Sequence, residues 1–411
     1  MDILITARKM GLRKIVRTVL YRFFFPINTA IYKICLKFPI NDKLIVMESE
    51  GDLSDNAYAL YHYMKENGIT DRYKVVWLVE NKREARKREK AVFVTKNPIW
   101  IEIRRAYYLA TCKWYIYDHG CVLPLDYHRK DQKVIYLCHG YAGFKMPKGN
   151  LKSRAKKMLD EVITTGDIPL KGVIDFFDME EENVKTLGFS RLDWFYSDLN
   201  QVRAQLNTRY SFDSYDKVLL WMPTFRKSTS INISEDYLDT GTGLPLLISK
   251  EQFVEFNRFL KERNILCILK LHHLQAEMEI FQKKQSNILI LRDRDFQNLG
   301  IQLYQFIPLT HALISDYSSI STDYMLLDKP MMFILDDYEE YNKSRGVYPE
   351  NALELMPGDH IYTIEQLQDA IVRVSLGEDS YRSQRELLVP RFHCFQDGNS
   401  SKRILDYLGI L

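Results

Sequence analysis

Apolar residues along the chain gather in short, nearly unbroken runs separated by stretches with helical spacing. Lys43 to Met47, Val75 to Val79, Ala91 to Thr95, Trp114 to Tyr117, Val134 to Leu137 and Val162 to Thr165 read as six strands. The rhythm restarts with Val218 to Met222, Leu266 to Leu271, Ile288 to Leu291, Ala312 to Ile314 and Met331 to Leu335. Several runs are too apolar for a sheet with one wet face, so parallel sheets covered by helices on both faces are expected. Ser197 to Asp216 is polar without sustained apolar period, which places a boundary between two Rossmann-like α/β units. The chain thus divides into 1–40, 41–205, 206–385 and a helical tail, 386–411, that could pack back on the first unit. Residues 225–250, with Gly241, Gly243 and Pro245, read as a long surface loop.

The first forty residues follow a different pattern. Leu12, Ile15, Val16, Val19, Leu20 and Phe23 to Phe25 form a helical apolar stripe that widens into an aromatic patch. Eight basic residues there oppose only Asp2, a local balance of +7. Such a segment suits an anionic membrane surface, and the alternative is a helix docked on the first unit with its basic face in water. No apolar run is long enough to span a bilayer, and no signal-peptide cleavage pattern follows the basic start, so the expected place is the cytoplasmic side.

Overall composition mostly excludes. A net charge of +3 over 411 residues gives no general case for nucleic-acid binding. Six cysteines lack CxxC or CxxH spacing, which suggests neither a zinc site nor a disulfide framework. No GxGxxG or GxxxxGK[ST] is present. The run 81–90, NKREARKREK, reads as a solvated face, with a surface for anionic lipid or acceptor as the minority view.

Chemistry concentrates at the ends of strands. In 134–149, VIYLCHGYAGFKMPKG, a strand delivers His139 to its C-terminal edge, where open α/β sheets place their ligands. An imidazole there could act as a base on a hydroxyl or be structural; Lys145 and Lys148 follow as candidate phosphate contacts. In 267–277, CILKLHHLQAE, adjacent His272 and His273 point opposite ways, and His272 is chosen for the cleft; a metal is the weaker reading because no third ligand follows at HExxH spacing. In 311–348 a strand breaks into Ser315-Asp316-Tyr317-Ser318-Ser319 and then a helix that must stop near Asp328. Ser318 or Ser319 can cap that helix or hold phosphate, and Asp323 lies one turn on from Ser319. In 219–226, LLWMPTFR, Thr224 and Arg226 follow a strand, and in 184–195 Arg191 either reaches the cleft or pairs with Asp193. After the first strand, 48–68, ESEGDLSDNAYALYHYMKENG, is explained by capping from Ser54 or Asp55, with a cleft-facing loop as the weaker reading.

Taken together, the HG, PTFR, KLHH and SDYSS segments in this order resemble the CDP-glycerol:poly(glycerophosphate) glycerophosphotransferase family, over roughly residues 43–390. Where that family has Trp-His-Gly-Thr this chain has Cys138-His139-Gly140-Tyr141, and Ser190 and Leu192 replace a Pro and an Asn around Arg191. The resemblance implies a GT-B-like fold with an acceptor unit first and a CDP-donor unit second. It implies transfer of glycerol phosphate or ribitol phosphate to a hydroxyl of a lipid-linked glycan or a teichoic-acid or capsule-type polymer, with release of CMP and no cofactor. In that reading His139 is the base, His272 assists the leaving group, and Thr224, Arg226, Ser318, Ser319 and Asp323 bind donor. Lys145, Lys148 and Arg191 would contact acceptor or phosphate at the membrane's cytoplasmic face. A nucleotide-sugar glycosyltransferase of the same fold is the rival, because fold does not settle reaction.

Overall fold

The computed structural model describes residues 12–119, 129–140, 144–145, 159–224, 242–271, 273–276 and 278–411. The first set of apolar runs forms a parallel sheet: β1 (Asn41–Glu48), β2 (Lys74–Val79), β3 (Val92–Thr95), β4 (Cys112–Tyr117), β5 (Lys133–Tyr136), β6 (Glu161–Thr164) and β7 (Val184–Thr186). The second set forms another: β8 (Lys217–Trp221), β9 (Ile265–Leu269), β10 (Ile288–Ile290), β11 (Ala312–Ser315), β12 (Met331–Ile334) and β13 (Asp359–Ile361). β7 and β13 are additions to the strands read from sequence. Each is a three-residue edge strand, too short and too polar to stand out as an apolar run.

Strand order is β3-β2-β1-β4-β5-β6-β7 in one sheet and β10-β9-β8-β11-β12-β13 in the other. Each order reverses direction once, between β1 and β4 and between β8 and β11, and crevices at such reversals are where open α/β sheets bind ligands. Val46 of β1 sits between Val76 of β2 and Tyr115 of β4, all buried, and every residue of β9 is buried, as sheets covered on both faces require. One apolar cluster runs through both units, while two further clusters fill the remaining faces. The architecture is α/β and GT-B-like.

The loop expected over 225–250 is in part core. Thr242, Leu244 and Leu247 are fully buried, the last two against the second sheet, because a short apolar stretch with Gly243 can fold under the helix Lys250–Glu262; 225–241 lie outside the described residues. The 81–90 run is likewise more than a solvated face. Its helix, Lys82–Arg88, sends Arg88 to the carbonyls of Asp52 and Leu53 at 2.7 Å each, and the buried Glu89 accepts from Tyr58 and Lys65.

Past the second sheet the chain returns to the first. The N–H of Cys394 donates to the Thr165 carbonyl at 2.9 Å, and those of Ser400 and Ser401 donate to Asp193 at 2.8 Å each. Ile404, Leu405 and Ile410 then join the first unit's core. At the other end, the helix Leu12–Cys35 buries Tyr32 and Cys35 and hangs on Asn28, whose amide donates to the Pro98 and Trp100 carbonyls. Val16, Val19, Phe23 and Phe25 remain exposed. Among the described residues no helix is long and apolar enough to cross a membrane.

Candidate functional site

The reversal point of the first sheet is built on an unusual turn. After β1, Gly51, Asp52 and Leu53 all take left-handed backbone, a costly run for non-glycine residues that tends to mark functional sites. It is held from outside: Asp52 accepts from the N–H groups of Glu80 and Asn81, and Arg88 clamps the carbonyls. The helix Asp55–Glu66 follows with Ser54 at its N-cap, yet Ser54 makes no side-chain cap bond. The free N–H of Ala57 donates instead to Asp118 Oδ2, at 2.9 Å, from the end of β4. Local capping therefore explains only part of this segment: Asp55 Oδ1 takes the N–H of Asn56 at 2.8 Å, while that of Ala57 goes to another strand. Asp55 and Asn56 turn to the junction between the units.

Beside Asp118 stands His119. Its Nδ1 lies 2.8 Å from Asp118 Oδ1, its Nε2 lies 2.9 Å from Glu50 Oε2, and its ring stacks on that of His139 with centroids 4.3 Å apart. Burial works against the charged form of His119, but hydrogen bonds to Asp118 and Glu50 outweigh it and raise the pKa to about 10. The bond to His119 lowers Glu50 to about 2, whereas burial lifts Asp118 to about 6, still ionised at neutral pH. His139 is pushed the other way, to about 4, by burial and by the charge on His119. Its Nδ1 is 2.6 Å from the Tyr136 hydroxyl and 3.1 Å from the Asp118 carbonyl. With Nδ1–H donating to that carbonyl, the lone pair sits on Nε2.

Arg191 joins the two units. One guanidinium nitrogen donates to Asp55 at 2.7 Å and lies 3.4 Å from the His139 carbonyl; the other donates to Asp323 at 2.7 Å. Asp323 also accepts from Tyr304 at 2.6 Å, and the Arg191 and Asp323 side chains are each only 2% exposed. The carboxylates and Tyr304, set against the penalty of burial, raise the pKa of Arg191 further. Asn56 completes the junction by accepting from the Arg191 N–H and donating to the Cys138 carbonyl. The alternative pairing of Arg191 with Asp193 is not formed, since Asp193 receives the N–H groups of Ser400 and Ser401.

The second unit meets this loop closely. Gly140 has φ of +111°, and a Cβ there would lie 2.6 Å from Ser319 Oγ, so only glycine fits. Ser319 precedes the helix Ile320–Tyr324 without a side-chain cap bond, while the hydroxyls of Ser321 and Thr322 donate back to the carbonyls of Ser318 and Ser319. The helix is shorter than its sequence pattern suggests, passing into a 3-10 turn that ends at Asp328. At the β8/β11 reversal, Asp316 takes both the N–H and the hydroxyl of Thr224, at 2.7 and 2.6 Å. Lys145 bridges to Val347, and the Tyr348 N–H donates to the Phe144 carbonyl. His272, Arg226 and Lys148 lie outside the described residues.

With this geometry in hand, comparison with known proteins is decisive. The profile of the CDP-Glycerol:Poly(glycerophosphate) glycerophosphotransferase family matches residues 30–409. The chain belongs to this family of polyol-phosphate transferases. Among curated relatives, the teichoic acid ribitol-phosphate primase of Bacillus spizizenii is 25% identical over 93% of this chain and 94% of its own length. The teichoic acid poly(ribitol-phosphate) polymerase of the same organism is 26% identical over 74% of this chain, which spans only 47% of that relative. The solved wall teichoic acid polymerase TagF has a TM-score of 0.70 over 97% of this chain and 98% of its own, at 19% identity. A UDP-GlcNAc 2-epimerase of Methanocaldococcus jannaschii shares the fold more distantly, at a TM-score of 0.53 over 89% of this chain and 99% of its own, at 12% identity.

For this family member, the residues that sequence reasoning passed over are Glu50, Asp118, His119, Tyr304 and Asp316. A signal for His119 was present. The sequence carries two His-Gly pairs, His119-Gly120 and His139-Gly140, and His119 and His139 follow the ends of the neighbouring parallel strands β4 and β5. Chemically, a neutral imidazole beside a cationic one can take a proton.

Proposed function

We propose that this chain transfers glycerol phosphate or ribitol phosphate from its CDP-linked donor to a hydroxyl of a lipid-linked glycan or of a teichoic-acid or capsule-type polymer. The observation that carries this reading is the close packing of Gly140, the residue after His139, against Ser319 of the serine turn. His139 Nε2 takes the proton of the acceptor hydroxyl. The oxygen attacks the phosphorus that bears the polyol, the bond to the pyrophosphate bridge breaks, and CMP leaves. A general base of this kind contributes about 10²- to 10⁴-fold, and a pKa of about 4 keeps it in the basic form at neutral pH.

In this reading Ser318, Ser319 and Arg226 bind the donor phosphates, His272 assists the leaving group, and Lys145 and Lys148 contact acceptor or phosphate. Asp323, expected from the sequence to bind donor, is buried with its carboxylate held by Arg191 and Tyr304, so its part in this reading is to hold the serine turn against the His139 loop. Thr224 and Asp316 together shape the floor of the donor crevice. Incubation with CDP-glycerol, CDP-ribitol and nucleotide sugars tests the reading. Release of CMP with phosphorus moved to the acceptor is expected; release of a nucleoside diphosphate from a nucleotide sugar would replace it with the glycosyltransferase alternative.

The same reading places the chain at an anionic membrane surface. It is supported by the exposed stripe Val16, Val19, Phe23 and Phe25 on a basic helix. Trp100, Ile101 and Ile103 are also exposed, the first on the loop that Asn28 ties to this helix. Removal of residues 1–38 is expected to abolish sedimentation with anionic liposomes, and the intact chain is expected to release as salt rises, because each basic residue adds only about 1 kcal/mol. Equal sedimentation of both forms would refute this.

A further inference from the structure

His119 has no part in the proton transfer just described, yet it is the group most closely fitted to the base. Both of its ring nitrogens lie within hydrogen-bond distance of carboxylate oxygens, Asp118 at 2.8 Å and Glu50 at 2.9 Å. A carboxylate oxygen can only accept, so an imidazole bonded on both sides must carry both protons. Asp118 is fully buried and bound in turn by the Ala57 N–H, which fixes one side of the clamp; Glu50 is largely exposed and closes the other. The flat face of the ring then lies on His139, 20° from parallel.

Among the described residues, several elements surround His139. The β4 end supplies His119 and the Asp118 carbonyl, β5 supplies Tyr136, and the turn after β1 supplies Glu50. The helix after that turn supplies Asp55, and Arg191 approaches the His139 carbonyl. Ser319 lies against the following glycine. The charges on this list are two cations, His119 and Arg191, and three carboxylates, of which Asp55 faces Arg191 and the other two grip His119. Among the described residues, the cation in ring contact with His139 is His119.

We propose that His119 is the positioning residue of the base, a fixed imidazolium that sets the plane of the His139 ring by stacking and holds that ring in its neutral form. The catalytic consequence rests on the assignment of His139 as base, but the electrostatic one does not. A cation against the ring opposes a second one, so neutrality of His139 depends on the charge of His119 and not only on burial.

The test is a pH titration of histidine-labelled full-length protein by NMR, with the His139 signal identified by its loss in His139→Gln, alongside the pH profile of kcat/KM with CDP-glycerol. In the wild type at pH 8, His119 should show both nitrogens protonated and His139 only one. His119→Gln should move the titration of His139 upward from about 4 by about one to two pH units, with the acid limb of activity following, whereas His119→Lys, which keeps the charge, should leave it low. A neutral His119 at pH 8, or the same His139 titration in wild type and His119→Gln, overturns the proposal. The wild-type spectrum decides even where both variants fail to fold. If the His139 titration moves and the activity profile does not, His119 tunes His139 as stated and it is the base assignment that falls.

Discussion

The two sheets share a strand order, yet the crevices at their reversal points are made differently. At the first, between β1 and β4, charged groups meet: the buried Asp118 and Arg191 with the partly buried Asp55 and His119 and the exposed Glu50, on a turn held in left-handed backbone by Arg88 and Asp52. At the second, between β8 and β11, the groups on the floor are Thr224 tied to Asp316 and the hydroxyls of Ser315, Ser318 and Ser319. A dense set of fixed charges can hold one imidazole neutral and its neighbour protonated, which is what proton removal needs. With Asp316 engaged by Thr224, the described hydroxyls of Ser318 and Ser319 are the groups that the proposed function assigns to donor phosphate. Under the proposed function, one topology used twice divides the transfer between a unit that handles the proton and a unit that handles the phosphate.

Arg191 is where the two halves depend on each other, so its removal is expected to do most damage. Arg191→Ala leaves Asp55 and the buried Asp323 without their partner, and breaking a buried pair of this kind costs about 3–5 kcal/mol. Urea unfolding should show that loss; a change below about 1 kcal/mol would mean the junction is not what holds the units together. Asp323→Asn, which keeps an acceptor for Arg191 and Tyr304, should cost less than Arg191→Ala.

A smaller effect sharpens the second half of the comparison. Because Ser319 makes no side-chain cap bond, Ser319→Ala should change stability by less than about 0.5 kcal/mol. If its hydroxyl meets donor phosphate, affinity for CDP-glycerol should still fall about tenfold or more, since a hydrogen bond to a charged group is worth roughly 1.5–3 kcal/mol. Calorimetric titration of Ser318→Ala, Ser319→Ala and the double variant checks this, and unchanged affinity in all three would remove the serines from the donor site.

How far the chain could be read in advance follows the range of the interactions concerned. Runs such as Ile265 to Leu269 announce buried parallel strands because their burial depends on their own composition, whereas the edge strand Asp359–Ile361 depends on its neighbour Met331–Ile334. His139 stands out because a strand and a glycine bracket it. The pairing of Arg191 with Asp323 spans 132 residues, and nothing local prefers it to the nearby Asp193. The start of the helix Asp55–Glu66 was legible only in part for the same reason: Asp55 takes the N–H of Asn56 locally, but that of Ala57 goes to Asp118 on another strand. His119 was legible as a second strand-end His-Gly pair, but its protonation was not, because that is set by Glu50 and Asp118 after folding.

The division of labour is tested most directly by His139→Ala, with CDP-glycerol binding measured by calorimetry and transfer measured on the same protein. Donor affinity within a few-fold of wild type together with turnover lowered by about 10²- to 10⁴-fold is the expected result, since the proton acceptor is lost while the donor crevice in the second unit is untouched. Turnover within a few-fold of wild type, or a collapse of donor affinity, would contradict it: the first would make His139 structural, and the second would place the donor on the first unit.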